Sequence, residues 1–335
     1  MREFRVWPSM LYLLLILILP ACSSDDDDLV GNWIRRSDFE GPARGDASCF
    51  VINRKAYVFG GYEGKKRLGD IWEYDFDQGY WTQKAVFPGT ARSSGFAFAS
   101  ETKGYVGTGY DGDKYYNDFW EFDPTGNVWT QKADFKGSAR YGATAFYING
   151  VGYAGTGYDG NYLMDFYKYN PLTDTWETSI SIQGTKRSFA TNFTINNKVY
   201  VAGGLNNGDY VKDFWMFDPD SQSWVEKAQI ADKTDYDFDD DYTTIARLNT
   251  VSLVIDGLGY LATGETGSLN SKTWEYNPDT DRWKERTSFE GSARTAAVGF
   301  SIDNRGFVLT GRSLSSLYYD DMWEFKPKDE YNEYD

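Results

Sequence analysis

Six arginines recur along the chain, at Arg44, Arg92, Arg140, Arg187, Arg247 and Arg294, in steps of 48, 48, 47, 60 and 47 residues. A guanidinium is a planar fork of donors. A ring of them at a pore mouth could grip carboxylate or glycan groups, or each could be tied to a carboxylate or carbonyl within its own repeat. Further along each repeat, after one or two glycines, stand Tyr62, Tyr110 with Asp111, Tyr158 with Asp159, Asn206 with Asn207, and Arg312. Aromatic and polar side chains on a rigid rim suit contacts with carbohydrate or peptide. The same residue types also build plain turns.

The chain has no histidine. This excludes His-dependent catalytic triads and His-containing zinc or copper sites. Fifty acidic residues leave carboxylate chemistry open, but no pair stands out by spacing. Glu73, Glu121, Glu275 and Glu324 occupy one repeated position. Repetition argues for a structural role, and pairing with an Arg or Lys of the same repeat is expected. The sequence assigns no catalytic residue, no metal and no cofactor.

The elements that position these residues are short strands. Each unit has a strand after the arginine and a second ending in glycine, as in Tyr57-Val58-Phe59-Gly60-Gly61. A third is aromatic, as in Phe119-Trp120-Glu121-Phe122, and a fourth carries a lone Trp at 81, 129, 176, 224 or 283. Aromatic and β-branched residues suit a pleated, half-buried surface, and Asp, Asn, Pro and Gly clusters such as 123–127 supply the turns. No useful helical period appears. Self-similarity at a fixed period decides the fold.

The paired glycines, the aromatic-Glu-aromatic-Asp strand and the Trp about 21 residues after the first glycine resemble the Kelch repeat over residues 30–327. The resemblance implies an all-β chain folded as a six-bladed Kelch β-propeller, one four-stranded sheet per blade. The sixth unit lacks a Trp strand, whereas Trp33 lies 48 residues before Trp81, in phase. The N-terminal strand around Trp33 should therefore complete the last blade and remove an exposed edge. Kelch domains use the connections at the arginine end to bind ligands. Galactose oxidase carries a Kelch-type propeller too, but its copper site needs His ligands, so that likeness concerns the fold alone. Secreted bacterial sialic acid mutarotases are six-bladed Kelch proteins that need no metal, which makes a sugar-processing enzyme the alternative to a binding module.

Departures from period mark asymmetry. The step from Arg187 to Arg247 is about 12 residues longer than the rest and holds an acidic, aromatic insertion with Asp235, Tyr236, Asp237, Asp239 and Tyr242. Its alternating acids resemble the start of a calcium loop. An EF-hand, however, needs Gly at position six and Glu at twelve, where Asp240 and Ala246 stand. An interaction loop, a calcium site of another kind and a solvated insertion all fit. Asp70, Asp118, Asp165, Asp213 and Asp321 precede the aromatic strand in five units; Lys272-Thr273 replaces that pattern in the fifth.

Residues 1–21 read as a lipoprotein signal peptide: Arg2 and Arg5, then an apolar run from Leu11 to Leu19 too short to span a membrane. Leu19-Pro20-Ala21-Cys22 resembles the bacterial lipobox, which makes Cys22 the lipidation site. Residues 22–29 form an acidic tether resembling the export tag of Bacteroidetes surface lipoproteins. Residues 328–335 form an acidic tail expected to be disordered. The expected location is the outer membrane, lipid-anchored and on the cell surface. The formal net charge of −16 argues against nucleic acid and against docking on anionic lipid, so the membrane is reached through the anchor only. An outer-membrane or surface protein, or a glycan, is the expected partner. Cys49, alone in the folded part, reads as an inert thiol on a strand facing the core.

Overall fold

A computed structural model describes residues 29–231, 245–332 and 334. Among these, every regular element is a strand. Six antiparallel four-stranded sheets form the blades of a propeller, their innermost strands being Ser48–Ile52, Phe96–Ala99, Thr144–Ile148, Thr191–Ile195, Val251–Ile255 and Val298–Ile302. The first two strands of most blades are joined by two residues in the left-handed region, such as Asn149-Gly150 and Asp256-Gly257. This is the type I′ hairpin whose twist matches that of the strands, and Asn, Asp and Gly tolerate it.

The ring closes as the phase of Trp33 predicts. Asn32–Arg35 pairs antiparallel with Met322–Lys326, setting Trp33 opposite Phe325. Trp33 is fully buried, edge-on to Phe289. Burying such a side chain contributes roughly 2–3 kcal/mol. Its indole N–H donates to Thr287 O at 3.3 Å. Trp129, Trp176 and Trp224 donate likewise to Ala85, Ala133 and Ile180, so in blades two, three, four and six the lone tryptophan stitches the blade to the connection leaving the previous one. The cores lie between neighbouring sheets: Trp81 and Tyr74 of blade one pack with Phe300 and Phe307 of blade six.

The repeated glutamates are indeed structural. Glu73, Glu121 and Glu275 accept hydrogen bonds from Tyr57, Tyr105 and Tyr260 on the neighbouring strand. Glu73 also pairs with Lys55, and Glu275 with Arg286. In blade six Phe307 replaces the tyrosine, and Glu324 instead takes Arg36, Arg305 and Lys326 at 2.6–2.7 Å. The tail differs from its expectation. Asp329 O accepts from Gly31 N, and Asn332 N donates to Asn32 Oδ1, so its first residues lie along the closing strand. Cys49 is half-buried and packs against the core between blades six and one, as its strand position suggests, with its thiol pushed by burial up to about 12.

Candidate functional site at the channel mouth

The six arginines are not at the mouth. Each is at most 2 % exposed and lies inside its blade. Arg44 shows the pattern. Its Nη1 and Nη2 donate to Asp70 Oδ1 and Oδ2, both at 2.7 Å, while Nη1 also reaches Gly60 O and Nε reaches Pro42 O. Arg140 and Arg294 grip Asp165 and Asp321 in the same bidentate way at 2.6–2.9 Å, and Arg92 and Arg187 are bound to Asp118 and Asp213. Aromatic rings cover several guanidinium groups, as Phe289 and Tyr319 cover Arg294 at 5.0 and 4.3 Å. Burial alone would raise the Asp70 carboxyl. The Arg44 hydrogen bonds and charge, with the Trp72 indole, outweigh it and hold the group below the usual carboxylate range. An arginine so engaged has no donors to offer a ligand. Arg44, Arg92, Arg140, Arg187 and Arg294 are thus clamps of the scaffold, which corrects their reading as ligand contacts; Arg247 is equally buried and holds only backbone carbonyls, with Lys272 where the others meet an aspartate.

What the clamps position is the backbone two residues on. Asp46, Ser94, Gly142, Phe189, Asn249 and Ala296 all have positive φ. Ser94 N donates to Asp46 O, Gly142 N to Ser94 O, Phe189 N to Gly142 O, Asn249 N to Phe189 O, and Asp46 N to Ala296 O, at 2.7–3.2 Å. This belt runs from blade to blade and forms the neck of the channel.

Outside the neck, a cavity of about 290 Å³ opens between blades six, one, two and three. Tyr62, Arg67, Tyr110, Tyr141, Arg312 and Tyr318 line it. Of the residues singled out from sequence, the structure brings Tyr62, Tyr110 and Arg312 together here. Arg67, Tyr141 and Tyr318 carry no signal in the sequence, because the residue type at their repeat positions varies from blade to blade, as at Arg67, Tyr115, Tyr162, Leu269 and Tyr318. The Arg67 guanidinium is held between the Tyr62 and Tyr110 rings at 4.4 and 4.9 Å, and its Nε is buried without a hydrogen-bond partner among the described residues. Arg312 Nε donates to Asp46 at 3.1 Å. Burial lowers its pKa, but the Asp46 charge and hydrogen bond win and raise it above the ordinary value. The cavity thus sets two arginines beside the single carboxylate of Asp46, in a chain that is strongly acidic overall. The Tyr141 hydroxyl is pushed up to about 12 by burial and by the surrounding tyrosines.

The remaining rim residues serve their own loops. Asp111 accepts from the backbone N–H groups of Asp113 and Lys114 and from the Tyr116 hydroxyl, which leads in holding its carboxyl down at about 2. Asp159 accepts from Ser138 Oγ and Asn161 N. Tyr158 packs on Tyr141 and Tyr162, one shell behind the cavity. Asp111 and Asp159 hold the turns of their own loops and are not among the residues that line this cavity. Asp235, Tyr236, Asp237, Asp239 and Tyr242 of the insertion, and Cys22, lie outside the described residues.

The comparisons agree with this architecture. The family model of the KLHDC2/KLHL20/DRC7 Kelch-repeats domain matches residues 33–149 and 134–302. No curated protein sequence matches the chain. Among solved structures, one titled "Structure of YjhT" superposes with a TM-score of 0.72 at 13% identity, covering 86% of this chain and 95% of that one. At that identity the likeness concerns the fold. With both segments of the family model spanning the repeats, the chain belongs to the Kelch-repeat family of β-propellers.

Proposed function

We propose that this propeller is a binding module, anchored in the outer membrane through lipidated Cys22 and exposed at the cell surface. Its ligand, a surface protein or a glycan, docks in the cavity at the channel mouth. The observation that carries the reading is Arg67: a cation pre-placed between two tyrosine rings, with a buried donor left over, beside Arg312 in one concave site. Concave pockets with a few convergent polar groups are where ligands bind. Rigid aromatic walls add contact area at low entropic cost. The anchor rests on the apolar run, the Cys at 22 and the acidic tether.

A second reading has support from the same pair of arginines. A cavity holding two cations and one carboxylate suits a carboxylated sugar, so a sugar-processing activity of the sialic acid mutarotase kind is the alternative. One pair of variants examines both. Full-length lipoprotein would be captured from mild-detergent outer membranes and screened on a glycan array, beside Arg67→Ala and Arg312→Ala. A partner or glycan held by the wild type and lost at least about tenfold in the variants supports the module. Retention in both variants moves the ligand away from this mouth. Faster interconversion of the anomers of free sialic acid by wild type alone supports the enzyme.

A further inference from the structure

We infer that blade five binds a small monovalent anion, a carboxylate or a halide, on the Nη2 of Arg247, at the position the clamp aspartates hold in the other five blades.

Those five blades define the position. In each, a buried arginine meets an aspartate 25–27 residues later in the chain, one residue before the aromatic strand. Blade five keeps the arginine: Arg247 is 1 % exposed, donates through Nε to Ile245 O, and donates through Nη1 to Thr263 O and Lys272 O. It has lost the aspartate. Lys272 stands there, and its ammonium turns away to Glu285 at 3.0 Å. Among the described residues, the Nη2 of Arg247 is buried without a hydrogen-bond partner. One residue on, the Thr273 hydroxyl is also buried without one, where the other blades carry Ile71, Phe119, Phe166, Phe214 and Met322.

A buried charge stays in a fold when it is paired or hydrogen-bonded. Here desolvation lowers the Arg247 pKa to about 10, with Glu285 opposing only in part, so the side chain remains a cation at neutral pH. The ligand class follows from what fills the position elsewhere. It is a single negative charge, small enough to take the place of an aspartate carboxylate. Solvent can reach the position, because the clamp aspartates are 10–32% exposed while their arginines are buried. Lys272 and Glu285 already neutralise each other, so a second anionic charge has no cation to meet.

The probe is sodium formate, with chloride as the second anion, titrated into the full chain at constant ionic strength held with sodium methanesulfonate. The readout is the thermal midpoint. The wild type should gain on the order of 2 °C per tenfold increase in formate once binding saturates the native state. Lys272→Asn, which adds no carboxylate, should respond as well. Lys272→Asp, which supplies its own carboxylate, should start higher and lose the response. No formate effect in the wild type, or the same slope in all three proteins, would overturn the site. If Lys272→Asp does not fold, loss of the response in Arg247→Gln carries the same decision.

Discussion

Blades one and five are built on the same strand plan, yet their arginines are treated differently. Arg44 is saturated: a bidentate aspartate, two backbone carbonyls and a covering ring from Phe39 at 5.0 Å. Arg247 keeps three backbone contacts and lacks the carboxylate. The backbone around both is nevertheless the same, with a positive-φ residue two positions on, Asp46 or Asn249, joined to the neck of the channel. The carbonyl contacts of the arginine are therefore what shape the neck, and the aspartate neutralises the charge that this architecture buries.

The comparison breaks most strongly in blade one. Asp70→Ala leaves the Arg44 guanidinium buried and unpaired, and about 3–5 kcal/mol of stability should go with it. Urea denaturation would read the loss; a change below about 1 kcal/mol would mean that the carbonyls alone suffice. The reciprocal change sharpens the contrast. Lys272→Asp rebuilds the clamp in blade five and should stabilise the chain by about 1–2 kcal/mol, since hydrogen bonds to charged groups contribute about that much. The Lys272–Glu285 pair it sacrifices is half-exposed and weak. Destabilisation would show that blade five has repacked around its lysine.

A second contrast divides the mouth. At the position after the glycines, blades one to three present Tyr62, Tyr110 and Tyr158, and blades four to six present Leu205, Glu265 and Arg312. The ring is symmetric in its skeleton and asymmetric in its rim, as a site for one ligand must be. Loss of binding in Arg67→Ala, which sits on the aromatic half, would place the ligand there.

How much of this is legible in the sequence follows from what repeats. The period, the Trp33 strand and the missing aspartate of blade five are all visible, because six copies make each departure stand out. The arginine–aspartate clamp is half visible. Both residues recur, but about 26 positions of chain separate them, and only the blade's fold brings them together. The cavity is hardly visible at all. Arg67 and Tyr318 hold one structural position in two blades and Tyr141 another in a third, but the residue type changes from blade to blade at both positions, so no repeated letter marks them. Asp111 and Asp159 look like ligand groups in sequence because acceptors that hold a turn are the same residue type as acceptors that hold a ligand.

The smallest effect concerns the closing blade against blade one. Glu73 and Glu324 stand at the same repeat position. Burial raises both pKa values, and their partners more than reverse it: Lys55 and Tyr57 for Glu73, and Arg305, Lys326 and Arg36 for Glu324. Glu324 is held furthest, at about 2 against an ordinary 4.5. Between those values the unfolded chain binds a proton that the folded chain refuses. Stability from this group is therefore complete above pH 4.5 and is lost as pH falls toward 2. Arg36 comes from the residue just after the closing strand, so this loss bears on the seam of the ring. Comparing urea midpoints at about pH 5 and pH 3, the wild type should lose on the order of 1 kcal/mol that Glu324→Gln does not lose, because the amide has no proton to take up. Glu73→Gln should flatten the same slope less. An equal effect of the two variants would mean that closing the ring adds nothing to what one blade's own ion pairs already do.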